Sequence, residues 1–201
     1  MKNCLRILLL CVCVLVFAVL PAVADNGTPL PKPDVLTSEE VFTSQRLSGY
    51  ETIVIKNLDM EKAAYERVDD EERVKIDAMK PMLNRIYQES VEMELRSRKL
   101  FKQVRVNGAP QGKTVLLEGE MTEFNAGSRA MRFWIGFGAG KTYLAMKGRL
   151  VDAQSGTVLA TFTDRETGYK GSMTMESYEG LFPRQAKSLG ENVVKFIEKL
   201  Y

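Results

Sequence analysis

The chain has 201 residues, 28 Lys and Arg against 26 Asp and Glu, three cysteines and no histidine. Cys4, Cys11 and Cys13 all lie within residues 1–24. The remainder therefore lacks disulfides, thiol nucleophiles, imidazole bases and the usual ligands for zinc, copper and haem. With Lys2 and Arg6 set aside, 26 basic residues face 26 acidic ones, which argues against nucleic-acid binding through bulk charge, and the length beyond residue 24 suits one domain with an ordinary core.

Residues 1–24 read as a secretory signal: Lys2 and Arg6 at the charged start, an apolar run over 7–20, and Ala22-Val23-Ala24 as the small-residue cleavage site. The apolar run, ended by Pro21, is too short for a membrane span. None of the three cysteines has the setting of a lipid-attachment cysteine, so a soluble exported product starting at Asp25 is expected, with a lipoprotein as the alternative. Pro29, Pro31 and Pro33 mark residues 25–45 as a linker, and 46–201 as a single domain.

Residues 50–58 (YETIVIKNL) predict a strand buried around Ile53, Val54 and Ile55. A charged stretch follows. Its group Asp69-Asp70-Glu71-Glu72 lacks calcium-loop spacing and suits a helix N-terminus. The helix is expected over 72–100, with Met79, Ile86, Met93 and Leu100 at seven-residue intervals and Leu83, Ser90 and Ser97 between them. The small serines would let this face lie close against a sheet, and Pro81 suggests a first turn or a kink. Residues 100–106 pass from helix end into a strand, before a turn at Asn107-Gly108.

Strands at 114–120, 141–151 and 157–163 form the clearest period-two pattern. In the second, Tyr143, Ala145, Lys147 and Arg149 share one face and Leu144, Met146, Gly148 and Leu150 the other. Asp152-Ala153-Gln154-Ser155-Gly156 supplies a hairpin turn, so an antiparallel meander is expected. Between the first two strands lies a glycine cluster, Gly136, Gly138 and Gly140, followed by Lys141-Thr142. It fails as a phosphate loop, because the first required glycine falls on Ile135 and strand rather than helix follows. As a dinucleotide fingerprint it fails too, its third glycine coming one residue early. The glycines suit a bulge or bend where two strands meet. Arg129, Arg132 and Lys141 could hold an anion or form a solvated basic edge, and Trp134 suits a partner contact. Last, Tyr178, Phe182, Ala186, Leu189, Val193, Ile197 and Leu200 mark one face of a C-terminal helix, with Pro183 near its start.

The block Leu116-Leu117-Glu118-Gly119, Gly127-Ser128-Arg129-Ala130, Gly136-Phe137-Gly138-Ala139-Gly140 and 151–159 resembles a domain-of-unknown-function family of small bacterial envelope proteins, many of them predicted lipoproteins. More distantly it is similar to the periplasmic domain of the curli-secretion channel lipoprotein. The resemblance implies an α+β fold, curli-secretion-like or anticodon-binding-like: a mixed, largely antiparallel sheet covered by a long central helix and a C-terminal helix. It does not carry over a pore, since 127–140 is too short for two spanning strands and the lipid-attachment cysteine is missing.

The expectation is an exported, periplasmic and possible outer-membrane-associated binding or assembly module. It would have no enzymatic activity, no cofactor, no metal and no nucleic-acid partner. Its partner would be an envelope protein or a second copy, with membrane association only through a complex or a lipid. Arg129, Arg132, Trp134, Gly136, Gly138, Gly140 and Lys141 are the candidate anion or partner contact. The alternative is a subunit of a curli-secretion-like secretion or transport complex. A carboxylate hydrolase would have to draw on Glu118, Glu120, Glu123 and Asp152.

Overall fold

The structure is a computed structural model and describes residues 28–128, 141–168 and 176–201. The expected signal and most of the glycine-rich block fall outside the described residues.

Among the described residues seven strands form one mixed sheet: β1 (Ser38–Val41), β2 (Thr52–Asp59), β3 (Ala64–Glu66), β4 (Gln103–Val106), β5 (Thr114–Asn125), β6 (Tyr143–Asp152) and β7 (Val158–Thr167). The order is β1-β7-β6-β5-β2-β4, with β3 added to β5 beyond the end of β2. β5, β6 and β7 make the expected antiparallel meander, β1 adds antiparallel to β7, and β2 is parallel to both β4 and β5. The turn joining β6 to β7 forms for the reason its residues predict. Asp152 Oδ1 accepts from the amides of Gln154 (2.8 Å) and Ser155 (2.9 Å), and Gly156 takes the left-handed φ of +72°.

Two helices, α1 (Asp70–Ser97) and α2 (Tyr178–Leu200), pack on the inner face of the sheet. Asp69 caps α1: its side chain accepts from Glu72 N, and the Glu72 carboxylate accepts from Asp69 N. Inward-facing Ile53, Ile55, Val115, Leu117, Met121, Leu144, Met146 and Leu150 meet α1 and α2 in one core. Each such fully buried aliphatic side chain contributes about 1.5–3 kcal/mol. Every residue expected on the apolar face of α2 is buried.

α1 departs from its expected seam. Its buried residues are Ile76, Leu83, Tyr87, Gln88, Ser90, Val91 and Leu95, whereas Met93 is 53% exposed and Ser97 is exposed. The true stripe lies beside the seven-residue series, because the face is set by contact with α2 as well as with the sheet. Ser90 serves a helix–helix approach and not a helix–sheet one. Its Oγ donates to Lys187 O (2.8 Å), and a Cβ placed on Gly190 would come within 2.9 Å of the Ser90 side chain. Pro81 sits inside the helix on its exposed side.

The linker expectation is also corrected in part. Ser38–Val41, inside 25–45, is an edge strand, and Leu36 before it is buried. The inward position of β1 is Glu39, an acidic residue that strand periodicity does not flag. Its carboxylate accepts from the amides of Asp34 (2.8 Å), Val35 (2.7 Å) and Leu36 (2.6 Å), which folds this turn under the sheet.

Among the described residues three buried side-chain polar atoms lack a partner: the hydroxyls of Tyr87 and Tyr178, and Gln185 Oε1. The Tyr87 hydroxyl, on a fully buried ring, has no partner, and burial pushes its pKa up. Tyr87→Phe removes the orphan and keeps the ring, so it is expected to raise stability by about 1 kcal/mol in urea melts. A loss of stability would show that the hydroxyl is satisfied in solution.

Candidate functional site

The described helices α1 and α2 lie on one side of the sheet, and the opposite face carries ordered rows of polar side chains. In the first row Glu40 on β1 stands opposite Thr161 on β7, Thr161 opposite Arg149 on β6, and Arg149 opposite Glu118 on β5. Ser38, Thr163, Lys147, Glu120 and Asp59 form the second row on strands β1, β7, β6, β5 and β2. Each row has one cation, on β6, beside an acid on β5. Arg149 Nε reaches Glu118 Oε2 at 2.8 Å and Lys147 Nζ reaches Glu120 Oε1 at 3.0 Å. These rows line an open concavity of about 760 Å³.

The pleat that exposes these rows turns Gly119 and Gly148 inward, directly opposite each other. Phe162 and Leu58 fill the space above them. A Cβ on Gly148 would lie 2.4 Å from the Phe162 ring, and one on Gly119 would lie 2.6 Å from Leu58 Cδ2. Phe162 in turn packs on Phe196 of α2, with ring centroids 5.5 Å apart. The charged outer face is thus backed by a tightly filled inner one.

A third polar group continues the face toward the β5–β6 connection. Tyr143 donates its hydroxyl to Glu123, Arg165 Nη2 lies 3.4 Å from Glu123 Oε2, and the guanidinium stacks 4.4 Å over the Tyr143 ring. Burial first, then the hydrogen bond to Glu123, pushes the Tyr143 phenol up. At this end the elements are tied together. Thr142 O accepts from Gly168 N (2.8 Å) and from Gln185 Nε2 (2.9 Å), while Thr142 Oγ1 donates to Ala126 O (3.1 Å).

Of the candidate contact residues, Lys141 is exposed, two residues before β6. Arg129, Arg132, Trp134, Gly136, Gly138 and Gly140 lie outside the described residues. The acids weighed for hydrolysis are distributed differently from a catalytic pair. Glu118 and Glu120 share a strand face as expected, but each is engaged by a cation on β6, and Glu123 by Arg165 and Tyr143. Asp152 sits at the far end of β6, where Tyr50 donates to it at 2.8 Å. Burial works against its ionisation, and the Ser155 amide, Tyr50 and Gln154 outweigh burial, holding its pKa below the usual carboxylate value. Among the described residues no group of acids is placed to hold a metal, and no helix is long and apolar enough to cross a membrane.

Two polar arrangements lie outside what the sequence patterns predict. Asn57, at the β2 bulge, accepts at one oxygen from Asn84 Nδ2 (3.0 Å), Gln88 Nε2 (3.0 Å) and Asn107 Nδ2 (2.8 Å). Only the i, i+4 spacing of Asn84 and Gln88 on α1 hinted that those two face one point. The other is Asp77 on α1, which accepts from Tyr65 on β3 and pairs with Lys80 at 2.7 Å. The Lys80 bond first, then that from Tyr65, holds the Asp77 pKa below its ordinary value. A depressed carboxylate stabilises the fold at pH above its unfolded value of about 3.9, and the effect is lost as pH falls through the folded value. Asp77→Asn is therefore expected to lower the urea midpoint at neutral pH, with the difference from the parent closing in acid as pH falls through the lowered folded-state value. An equal difference at neutral and acid pH would rule out this linkage.

Residues 53–172 match the family described as "Domain of unknown function (DUF4410)", and the chain belongs to that family. No curated protein matches it. Among solved structures it is similar to the PelC dodecamer from Paraburkholderia phytofirmans, at 15% identity and TM-score 0.47, over 80% of this chain and 96% of that one. It is also similar to protein XCC0632 (DUF330) from Xanthomonas campestris, at 9% identity and TM-score 0.46, over 76% of this chain and 86% of that one. These are likenesses of fold.

Proposed function

We propose that this member of the DUF4410 family is an exported, non-enzymatic binding or assembly module of the cell envelope, working through the uncovered face of its sheet. The observation that carries the reading is the outer face itself. A sheet face that no described helix covers, carrying rows of acids and cations, offers a patterned surface to a partner, and its Glu118 and Glu120 are engaged by cations instead of being held for chemistry. Exposed ion pairs of this kind add only about 0–1 kcal/mol each to stability, so their main physical consequence is an ordered charge pattern that selects a complementary partner. The contact proposed for Arg129, Arg132, Trp134, Gly136, Gly138, Gly140 and Lys141 belongs to the same reading, as an anion or partner contact.

A second reading, a subunit of a curli-secretion-like complex, is favoured by one observation. The β5–β6 and β7–α2 connections are tied at one end of the sheet, where Gly168 N donates to Thr142 O. Light scattering on residues 25–201, with and without mild detergent, separates the two. A monomer unchanged by detergent removes the secretion-complex reading, and a ring-sized oligomer that requires detergent removes the first. Export is tested by fractionating producing cells and sequencing the protein N-terminus. A chain beginning at Asp25 in the envelope fraction is expected, and full-length protein retained in the cytoplasm would sink the proposal.

A further inference from the structure

Strand β7 runs past its neighbour. β1 pairs only with residues 160–163, whereas β6 follows β7 to Thr167. Gly168 N donates to Thr142 O, and Phe42 N donates to Leu159 O. Along β7 the even-numbered amides from 160 onward therefore face β6, and the odd-numbered ones face the β1 side. Ser38, opposite Thr163, is the last residue of β1 in that direction. The backbone N–H and C=O groups of Arg165 and Thr167 consequently point outward, with no strand beside them among the described residues. The opposite edge of the sheet is handled differently. There Arg96 Nη2 donates at 2.7 Å to Val104 O, an outward carbonyl of β4, and caps the edge.

Beside the open half-edge lies a groove of about 420 Å³ between the end of β7 and the flank of α2, lined by Thr167, Arg184, Gln185, Ser188 and Asn192 among others. Gln185 is only 3% exposed. Its Nε2 is engaged by Thr142 O, but its Oε1 is a buried acceptor with no partner. Buried acceptors are rarely left so. An open run of main chain, a groove alongside it and an orphaned acceptor in the groove wall coincide at one place.

We propose that residues 164–167 of β7 are a strand-addition site for an extended peptide of a partner protein. The peptide lies antiparallel to β7 in line with β1 and turns a hydrogen-bond-donating side chain (Ser, Thr, Asn or Lys) toward Gln185. Main-chain bonds to Arg165 and Thr167 supply the affinity, and the groove supplies the choice of side chain. A second copy of this chain is disfavoured as the occupant, because a two-fold axis through Arg165 or Glu166 would set like charges face to face. The site is separate from the outer sheet face and stands whether or not that face binds.

The test is to pan a phage-displayed library of random peptides about ten residues long, enough to span a short strand, against residues 25–201. Recovered peptides are compared on Thr167→Pro, which removes an outward N–H without removing a bond to β6, and on Gln185→Leu. Peptides that bind the parent about tenfold or more tightly than Thr167→Pro, that weaken about threefold on Gln185→Leu, and that slow hydrogen exchange at the Arg165 and Thr167 amides are the expected result. Recovery of no peptide, or of peptides that bind the parent and both variants alike, overturns the proposal. So does protection of the Arg165 and Thr167 amides in the free protein. Should Thr167→Pro fail to fold, Gln185→Leu and the amide protection still decide.

Discussion

Glu39→Ala is expected to lower the unfolding free energy by about 3 kcal/mol, since each amide left without its acceptor costs about 1–3 kcal/mol and water can reach two of the three. The three donors are consecutive, Asp34, Val35 and Leu36, and Leu36 is itself buried. Deleting the carboxylate therefore releases the whole turn that leads into β1. Hydrogen exchange over 34–41 should accelerate well before global unfolding. Glu39→Gln keeps one acceptor oxygen for Val35 and Leu36 but turns an amide donor toward Asp34 N, and should cost about half as much. If Glu39→Ala melts within about 0.5 kcal/mol of the parent, the range of an ordinary surface substitution, β1 is not held by this contact.

Gly148→Ala is the second large effect. The added methyl would meet the Phe162 ring at 2.4 Å and Glu118 O at 2.9 Å. Overpacking of this kind costs about 1–3 kcal/mol, and the upper end is expected because one of the two obstacles is backbone. Phe162→Ala, which empties the same space beneath Phe196, should cost about 3–5 kcal/mol. The double variant should cost at least 1 kcal/mol less than the two single changes together, because removing the ring makes room for the methyl. Additive costs would mean that ring and glycine do not meet.

The parts of this fold that were legible in the sequence are those where one local rule acts alone. Lys147 and Arg149 alternate with Met146 and Leu150 because a strand has one wet face and one dry face. Asp69 to Glu72 cap α1, and Asp152 to Gly156 turn the hairpin, through short-range bonds their side chains dictate. The stripe on α2 was visible because that helix is apolar wherever it is buried. Illegible parts depend on contacts between distant residues. β1 escaped because its inward residue is a carboxylate satisfied by amides three to five positions earlier. α1 misled because Met93, apolar and at the expected interval, faces water while Tyr87 and Gln88 face inward. The candidate face was half legible: Glu118 and Glu120 could be placed on one side of β5, but their pairing with Arg149 and Lys147 requires the β5–β6 register. The open end of β7 could not be read at all, since it depends on β1 stopping at Ser38.

The outer sheet face is the surface proposed to meet a partner in the envelope. The most direct measurement places a photo-crosslinking amino acid at Thr161, in the middle of that face, or at Val74, which is 70% exposed on α1, in otherwise identical producing cells. Discrete crosslinked products from Thr161, absent from Val74 and lost when Lys147 and Arg149 are both changed to glutamate, are the result expected. Equal products from both positions, or none from Thr161, would contradict it.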